Sequence, residues 1–138
     1  MNPYFKISFP ANPSWFKTIR NLVLTATKHV GFSDQDASQV SLAIDEALCN
    51  IYRHGYKGNA DGVIEFEFNS KVDPKPMVQM TILDEGEKVP LDAIQSRDLD
   101  ELRPGGLGVH LITTIMDEAT WSHSDNGMRL DVVKQKQD

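Results

Sequence analysis

Hydrophobic residues in this chain keep two different periods, and the order in which the periods change is the strongest constraint on its fold. Tyr4 to Phe9 alternates, with Phe5, Ile7 and Phe9 on one side and Tyr4, Lys6 and Ser8 on the other; this predicts a strand that Pro10 ends. Asn12-Pro13 reads as an N-cap followed by proline in the first helical turn, where its missing N–H costs nothing. The spacing of Trp15, Ile19, Leu22, Val23, Ala26 and Val30 carries a helix to about His29, with Gly31 as its stop. Ser33-Asp34-Gln35-Asp36, a hydroxyl cap with a carboxylate three residues later, opens a second helix. Its inward stripe is Ala37, Val40, Ile44, Ala47, Leu48 and Ile51, and it ends near Gly55.

Gly58-Asn59-Ala60-Asp61-Gly62 is a turn by composition. Alternation then returns in Val63 to Phe68 and in Met77 to Leu83, a hairpin broken by Pro74-Lys75-Pro76. From Asp84 to Pro104 the chain holds seven acids and few apolar residues, which predicts a long solvated connection with at most a short helix. Pro104-Gly105-Gly106-Leu107-Gly108 opens a helix to about Met116. Glu118 to His123 and Met128 to Lys134 close the chain as strands around Ser124-Asp125-Asn126-Gly127, where Asn-Gly is a strong hairpin signal. The order β, α, α, β, β, lid, α, β, β predicts a two-layer α/β sandwich, its sheet mixed and mostly antiparallel, with helices on one face.

At 138 residues, with no internal repeat, the chain is expected to be one domain spanning 1–138. A formal charge of −6 argues against a direct nucleic-acid binder, which needs a basic surface. Cys49 is the only cysteine, so no internal disulfide can form and a cytoplasmic setting is expected. The first residues lack a signal-peptide pattern, and no window approaches the roughly 18 to 20 apolar residues of a membrane span. One cysteine and four scattered histidines give no ligand pair at zinc spacing.

Three segments carry chemistry. On the second helix Glu46, Asn50 and His54 form one i, i+4, i+8 row along the edge of the apolar stripe, suited to a pocket wall and equally to the polar flank of an amphipathic helix. Asp84-Glu85-Gly86 follows a hydrophobic strand directly, which either presents a carboxylate at a pocket mouth or simply ends the strand. Gly105-Gly106-Leu107-Gly108 at a helix start offers backbone N–H groups and helix-end charge to a phosphate, or is a glycine-rich hinge. Its spacing is neither the Rossmann nor the Walker fingerprint.

In this order the three segments resemble the boxes of the Bergerat-fold ATPases, and within them the anti-sigma factor serine kinases. Glu46-x-x-x-Asn50 with His54 matches the first box, Asp84-x-Gly86 the second and Gly105-Gly106-Leu107-Gly108 the third. Lys88 stands where the broader superfamily has a second glycine. The resemblance implies that Asn50 holds the magnesium ion bridging the ATP phosphates and that Glu46 is the general base for a substrate hydroxyl. It implies that Asp84 accepts from the adenine amino group, that Gly86 lets the base lie close, and that residues 105 to 108 bind the phosphates. His54 goes with the nucleotide site, Arg103 is a candidate phosphate contact or else a solvated lid residue, and residues 87–104 form the ATP lid. The implied partners are a sigma factor and an anti-sigma-factor antagonist carrying the target serine or threonine, with a homodimer expected and no membrane. The alternative is a non-catalytic module of the same fold that sequesters a partner.

Overall fold

The computed structural model describes residues 4–94 and 106–137. Strand β1 (Tyr4–Pro10) leads into helix α1 (Pro13–Val30), which is capped by the Asn12 side chain accepting the Ser14 N–H at 3.0 Å. Gly31 closes α1 at φ 127°, a left-handed backbone that favours glycine. Helix α2 (Asp34–Asn50) starts under Ser33, whose hydroxyl accepts the Asp36 N–H at 3.1 Å. It continues without a break into a π-turn, Ile51–Gly55. Strands β2 (Val63–Lys71) and β3 (Met77–Asp84) follow, then a short 3-10 turn at Leu91–Ile94. Helix α3 (Gly106–Ile115), β4 (Glu118–His123) and β5 (Met128–Gln135) complete the chain.

The five strands lie in the order β1-β2-β3-β5-β4, and every pairing among the described residues is antiparallel. Pro10 is the last residue of β1 rather than the residue after it, which an edge strand tolerates because one side of its ladder is unpaired. Alternation sets the faces: Ile64, Phe66 and Phe68 of β2 and Val78, Met80 and Ile82 of β3 are fully buried under the helices. Each such side chain contributes about 1.5–3 kcal/mol on burial. The opposite face is polar and internally bonded. There the Thr81 hydroxyl donates to Asp131 Oδ1 at 2.7 Å and Arg129 Nε donates to Asp131 Oδ2 at 2.8 Å. Partial burial pushes the Asp131 carboxyl up, and the bonds from Arg129 and Thr81 outweigh it, leaving the group below its ordinary value.

The helical layer departs from the sequence reading most at Trp15, while Leu22 and Ala26 of the expected α1 stripe are half-buried. Trp15 was expected on the inward stripe of α1 but is 51% exposed, and its neighbour Phe16 is buried in its place. The buried face of α1 runs through Phe16, Ile19, Val23, Thr27 and Val30, turned toward Thr27, a residue that hydrophobicity alone does not select. On α2 the expected stripe holds from Ala37 to Leu48, while Ile51 is half-buried where the π-turn begins. The two helices are joined by the Ser41 hydroxyl donating to the Arg20 carbonyl at 2.8 Å. No helix among the described residues is long and apolar enough to cross a membrane.

Candidate functional site

Asp84 ends β3 on the helix-facing side of the sheet, paired in register with Ile64, and is only 5% exposed. Its Oδ1 accepts two backbone N–H groups, from Gly86 at 2.8 Å and from Met128 at 3.4 Å. Burial pushes the carboxyl above its usual range, and those two bonds only partly offset it. Both bonds among the described residues go to the same oxygen, so Oδ2 keeps acceptor capacity for a donor from outside.

The carboxylate is held where the α2 segment ends. A Cβ placed on Gly86 would stand 2.5 Å from the Gly55 carbonyl oxygen, so this close approach requires glycine at 86. The Gly55 carbonyl accepts the Glu87 N–H at 2.9 Å, and Lys57 pairs with Glu87 at 2.7 Å. The Tyr56 hydroxyl accepts the Glu85 N–H at 2.7 Å and donates to the Val63 carbonyl at 2.6 Å. Three consecutive residues after Asp84 are thus fixed by Gly55 and Tyr56.

Earlier on the same helical segment, one turn apart from each other, lie Glu46 and Asn50, both half-buried. Arg53 joins them: its Nη2 donates to Asn50 Oδ1 at 3.2 Å and lies 3.8 Å from Glu46 Oε2. His54 stands exposed on the π-turn, whose wider winding takes it off the regular i, i+4 row. Cys49, between Glu46 and Asn50, has its thiol pushed up by partial burial and then by Asp45 and Glu46, so it stays protonated at neutral pH.

Helix α3 begins at Gly106 and packs against α2, the helix that carries Glu46 and Asn50. Its backbone from Gly106 through Leu107 to Gly108 is helical. Gly105 and Arg103 lie outside the described residues, as does the expected lid from 95 to 104. The first part of that lid is in place: beyond the Glu87 contacts, His123 Nε2 donates to the Val89 carbonyl at 2.8 Å, and the 3-10 turn packs on β4.

Sequence reasoning missed Arg53, Gly55, Tyr56, Gly127 and Met128. Arg53 had a legible signal, because seven residues after Glu46 returns nearly to the same helical face. The others act through backbone approach and long-range hydrogen bonds, for which the sequence carries no local sign.

Comparison with known proteins agrees with this fold. The profile of the histidine kinase-like ATPase domain matches residues 9–134. The serine-protein kinase RsbW of Staphylococcus epidermidis is 29% identical over 140 residues, covering 95% of this chain and 86% of that protein. The serine-protein kinase RsbW of Bacillus subtilis is 28% identical over 123 residues, covering 83% and 75%. Among solved structures, the RsbU and RsbW domains of Rv1364c from Mycobacterium tuberculosis superpose with a TM-score of 0.69 at 19% identity. This chain is covered to 96% there and spans 31% of that longer chain. The histidine kinase domain from Erythrobacter litoralis EL346 gives 0.53 at 17% identity, covering 91% of this chain and 60% of the other.

Proposed function

We propose that this chain, which belongs to the histidine kinase-like ATPase domain family, is an ATP-dependent serine/threonine kinase that binds a sigma factor and phosphorylates an anti-sigma-factor antagonist. The observation that carries the reading is the Asp84 carboxylate, nearly buried with one oxygen saturated by backbone N–H groups, fixed to the end of the helical segment that bears Glu46 and Asn50. Relatives named as serine-protein kinases over most of this chain's length support it.

The residues suit the groups such a reaction needs. Asp84 is an acceptor matched to the adenine amino group, and Gly86 beside it lets the Gly55 backbone come close and hold the loop that carries the carboxylate. Asn50 offers one hard amide oxygen, and its bond from Arg53 uses one of two lone pairs. Among the described residues no cluster of His, Cys, Asp or Glu could hold a cation alone, so a magnesium ion here would take its remaining ligands from phosphate and water. Bound there, the ion would neutralise charge on the phosphates. The chain's own part is positioning. Glu46 accepts the proton as the O–H bond of the target hydroxyl breaks, and the freed oxygen bonds to the γ-phosphorus while ADP leaves. The glycine segment at 105 to 108 supplies N–H groups to the phosphates, with Arg103 beside it and His54 at the rim. A homodimer fits the same family reading.

The test is transfer of labelled γ-phosphate from ATP to a candidate antagonist, with and without magnesium. Glu46→Gln should slow transfer by about a hundred- to ten-thousand-fold, the usual contribution of a general base, with ATP binding unchanged. Asn50→Ala should lose magnesium-dependent ATP binding. A wild-type protein that binds its partners and transfers no phosphate would establish the sequestering module instead.

A further inference from the structure

We propose that Tyr56 is a positioning residue that sets the nucleotide preference of this site by locking the Asp84 loop to the end of the α2 segment. The inference rests on the nucleotide reading above and goes beyond it, since none of the three boxes includes this residue. Three observations converge on the side chain. Its hydroxyl is used in both directions, accepting from Glu85 N–H at 2.7 Å and donating to the Val63 carbonyl at 2.6 Å. Its ring fills the space that a side chain at position 62 would take: a Cβ on Gly62 would lie 2.5 Å from ring carbons Cδ1 and Cε1. Its own N–H donates to the Ile51 carbonyl at 2.9 Å, closing the π-turn that follows Asn50.

The consequence is geometric. Glu85 follows directly on Asp84, and its N–H is held from one side by Tyr56. Gly86 and Glu87 are held from the same side by Gly55, through close backbone contact and the Glu87 N–H. Residues 55 and 56 therefore fix the loop that aims the Asp84 carboxylate, and they fix it relative to the helical segment carrying Asn50. A carboxylate accepts from the exocyclic amino group of adenine, whereas guanine presents a carbonyl oxygen at that position, which the carboxylate repels. Such discrimination depends on the acceptor being held in place, because a loop that can swing aside gives up both the attraction and the repulsion. Tyr56 supplies the rigidity through a ring with few rotatable bonds and two short hydrogen bonds. The glycine segment assigned to the phosphates belongs to a different part of the chain and does not depend on it.

The test uses the full chain and calorimetric titration with magnesium and, in turn, ATP, GTP and inorganic tripolyphosphate. Tyr56→Phe keeps the ring over Gly62 and removes the hydroxyl. ATP affinity should fall about tenfold, the loss of one or two ordinary hydrogen bonds. The preference for ATP over GTP should narrow, and tripolyphosphate binding should stay at the wild-type level. Glu85→Pro removes the N–H that Tyr56 accepts, together with the Glu85 side chain and the free φ at that position, and it should reproduce the pattern with the tyrosine intact. It decides the matter if the phenylalanine variant does not fold. Folded variants with unchanged ATP affinity and base preference would overturn the proposal. So would a parallel fall in ATP and tripolyphosphate binding, which marks general loosening, or failure of both variants to fold, which marks a purely structural strut. A wild-type protein that binds neither ATP nor tripolyphosphate would remove the nucleotide reading itself, and the proposal with it.

Discussion

The backbone of Gly127 lies directly against that of Asp84: a Cβ at position 127 would stand 2.1 Å from the Asp84 carbonyl oxygen and 2.8 Å from the Glu85 Cα. The next residue, Met128, gives its N–H to the Asp84 carboxylate. The β4–β5 turn is thus one wall of the candidate nucleotide site, and glycine at its end is required by contact with β3.

Gly127→Ala is therefore expected to destabilise the fold by about 2 kcal/mol or more, at the upper side of the usual cost of overpacking. It should weaken ATP binding at the same time, because the Cβ has only main chain to push against. Asn126→Ala, at an exposed turn position, should change stability by less than about 0.5 kcal/mol. Denaturant unfolding of the two variants measures both effects. Equal costs would mean that the turn, not the contact with Asp84, demands the glycine.

Asp84→Asn separates binding from stability. The amide oxygen can still accept the Gly86 and Met128 N–H groups, so the fold keeps those bonds while the buried charge is gone. ATP affinity should drop by on the order of 1–3 kcal/mol, the range for a lost hydrogen bond to a charged group. The melting temperature should hold or rise. A variant with wild-type ATP affinity removes Asp84 from the base contact.

The Asp84 carboxyl also fixes a pH response. Its value in the folded protein is raised above the ordinary 3.8 by burial, so the folded state holds this proton more tightly than the unfolded chain does. Stability from this group is accordingly gained as pH falls through the folded value toward 3.8, and its cost is fully present above that window. Asp131, lowered by Arg129 and Thr81 against its own desolvation, acts in the opposite sense and loses its contribution as pH drops below 3.8. Unfolding titrations of Asp84→Asn and Asp131→Asn should show pH dependences that differ from wild type with opposite sign.

Thr27 is fully buried in α1, and its hydroxyl has no hydrogen-bond partner among the described residues. Thr27→Val keeps the shape and removes an unpaired polar atom, so stability should increase by about 1 kcal/mol. A loss of stability in chemical denaturation would mean that the hydroxyl is paired in solution.

The amides of Glu85, Gly86 and Glu87 each have a hydrogen-bond acceptor, namely Tyr56 Oη, Asp84 Oδ1 and the Gly55 carbonyl. They should exchange slowly in the nucleotide-free protein, which marks the base side of the site as preformed. Fast exchange at these three positions would show that the loop after β3 orders only on binding.

What the sequence determined by itself is local. The caps at Asn12 and Ser33, the stop at Gly31 and the alternation of β2 and β3 were legible because each depends on residues within a few positions of one another. The row of Glu46 and Asn50 was legible for the same reason, since helical spacing alone puts them one turn apart. Where neighbours compete, local reading failed: Trp15 and Phe16 are equally apolar, and only packing against the sheet chose Phe16 for the core. Asn126-Gly127 gave the right hairpin for an incomplete reason, because the glycine is fixed by a strand more than 40 residues away in sequence. The tertiary structure alone decided that Gly55, Tyr56, Gly127 and Met128 surround Asp84. Each of those contacts pairs a backbone group, a missing Cβ or the Tyr56 hydroxyl with a partner far away in sequence, so no local pattern marks them until the chain has folded.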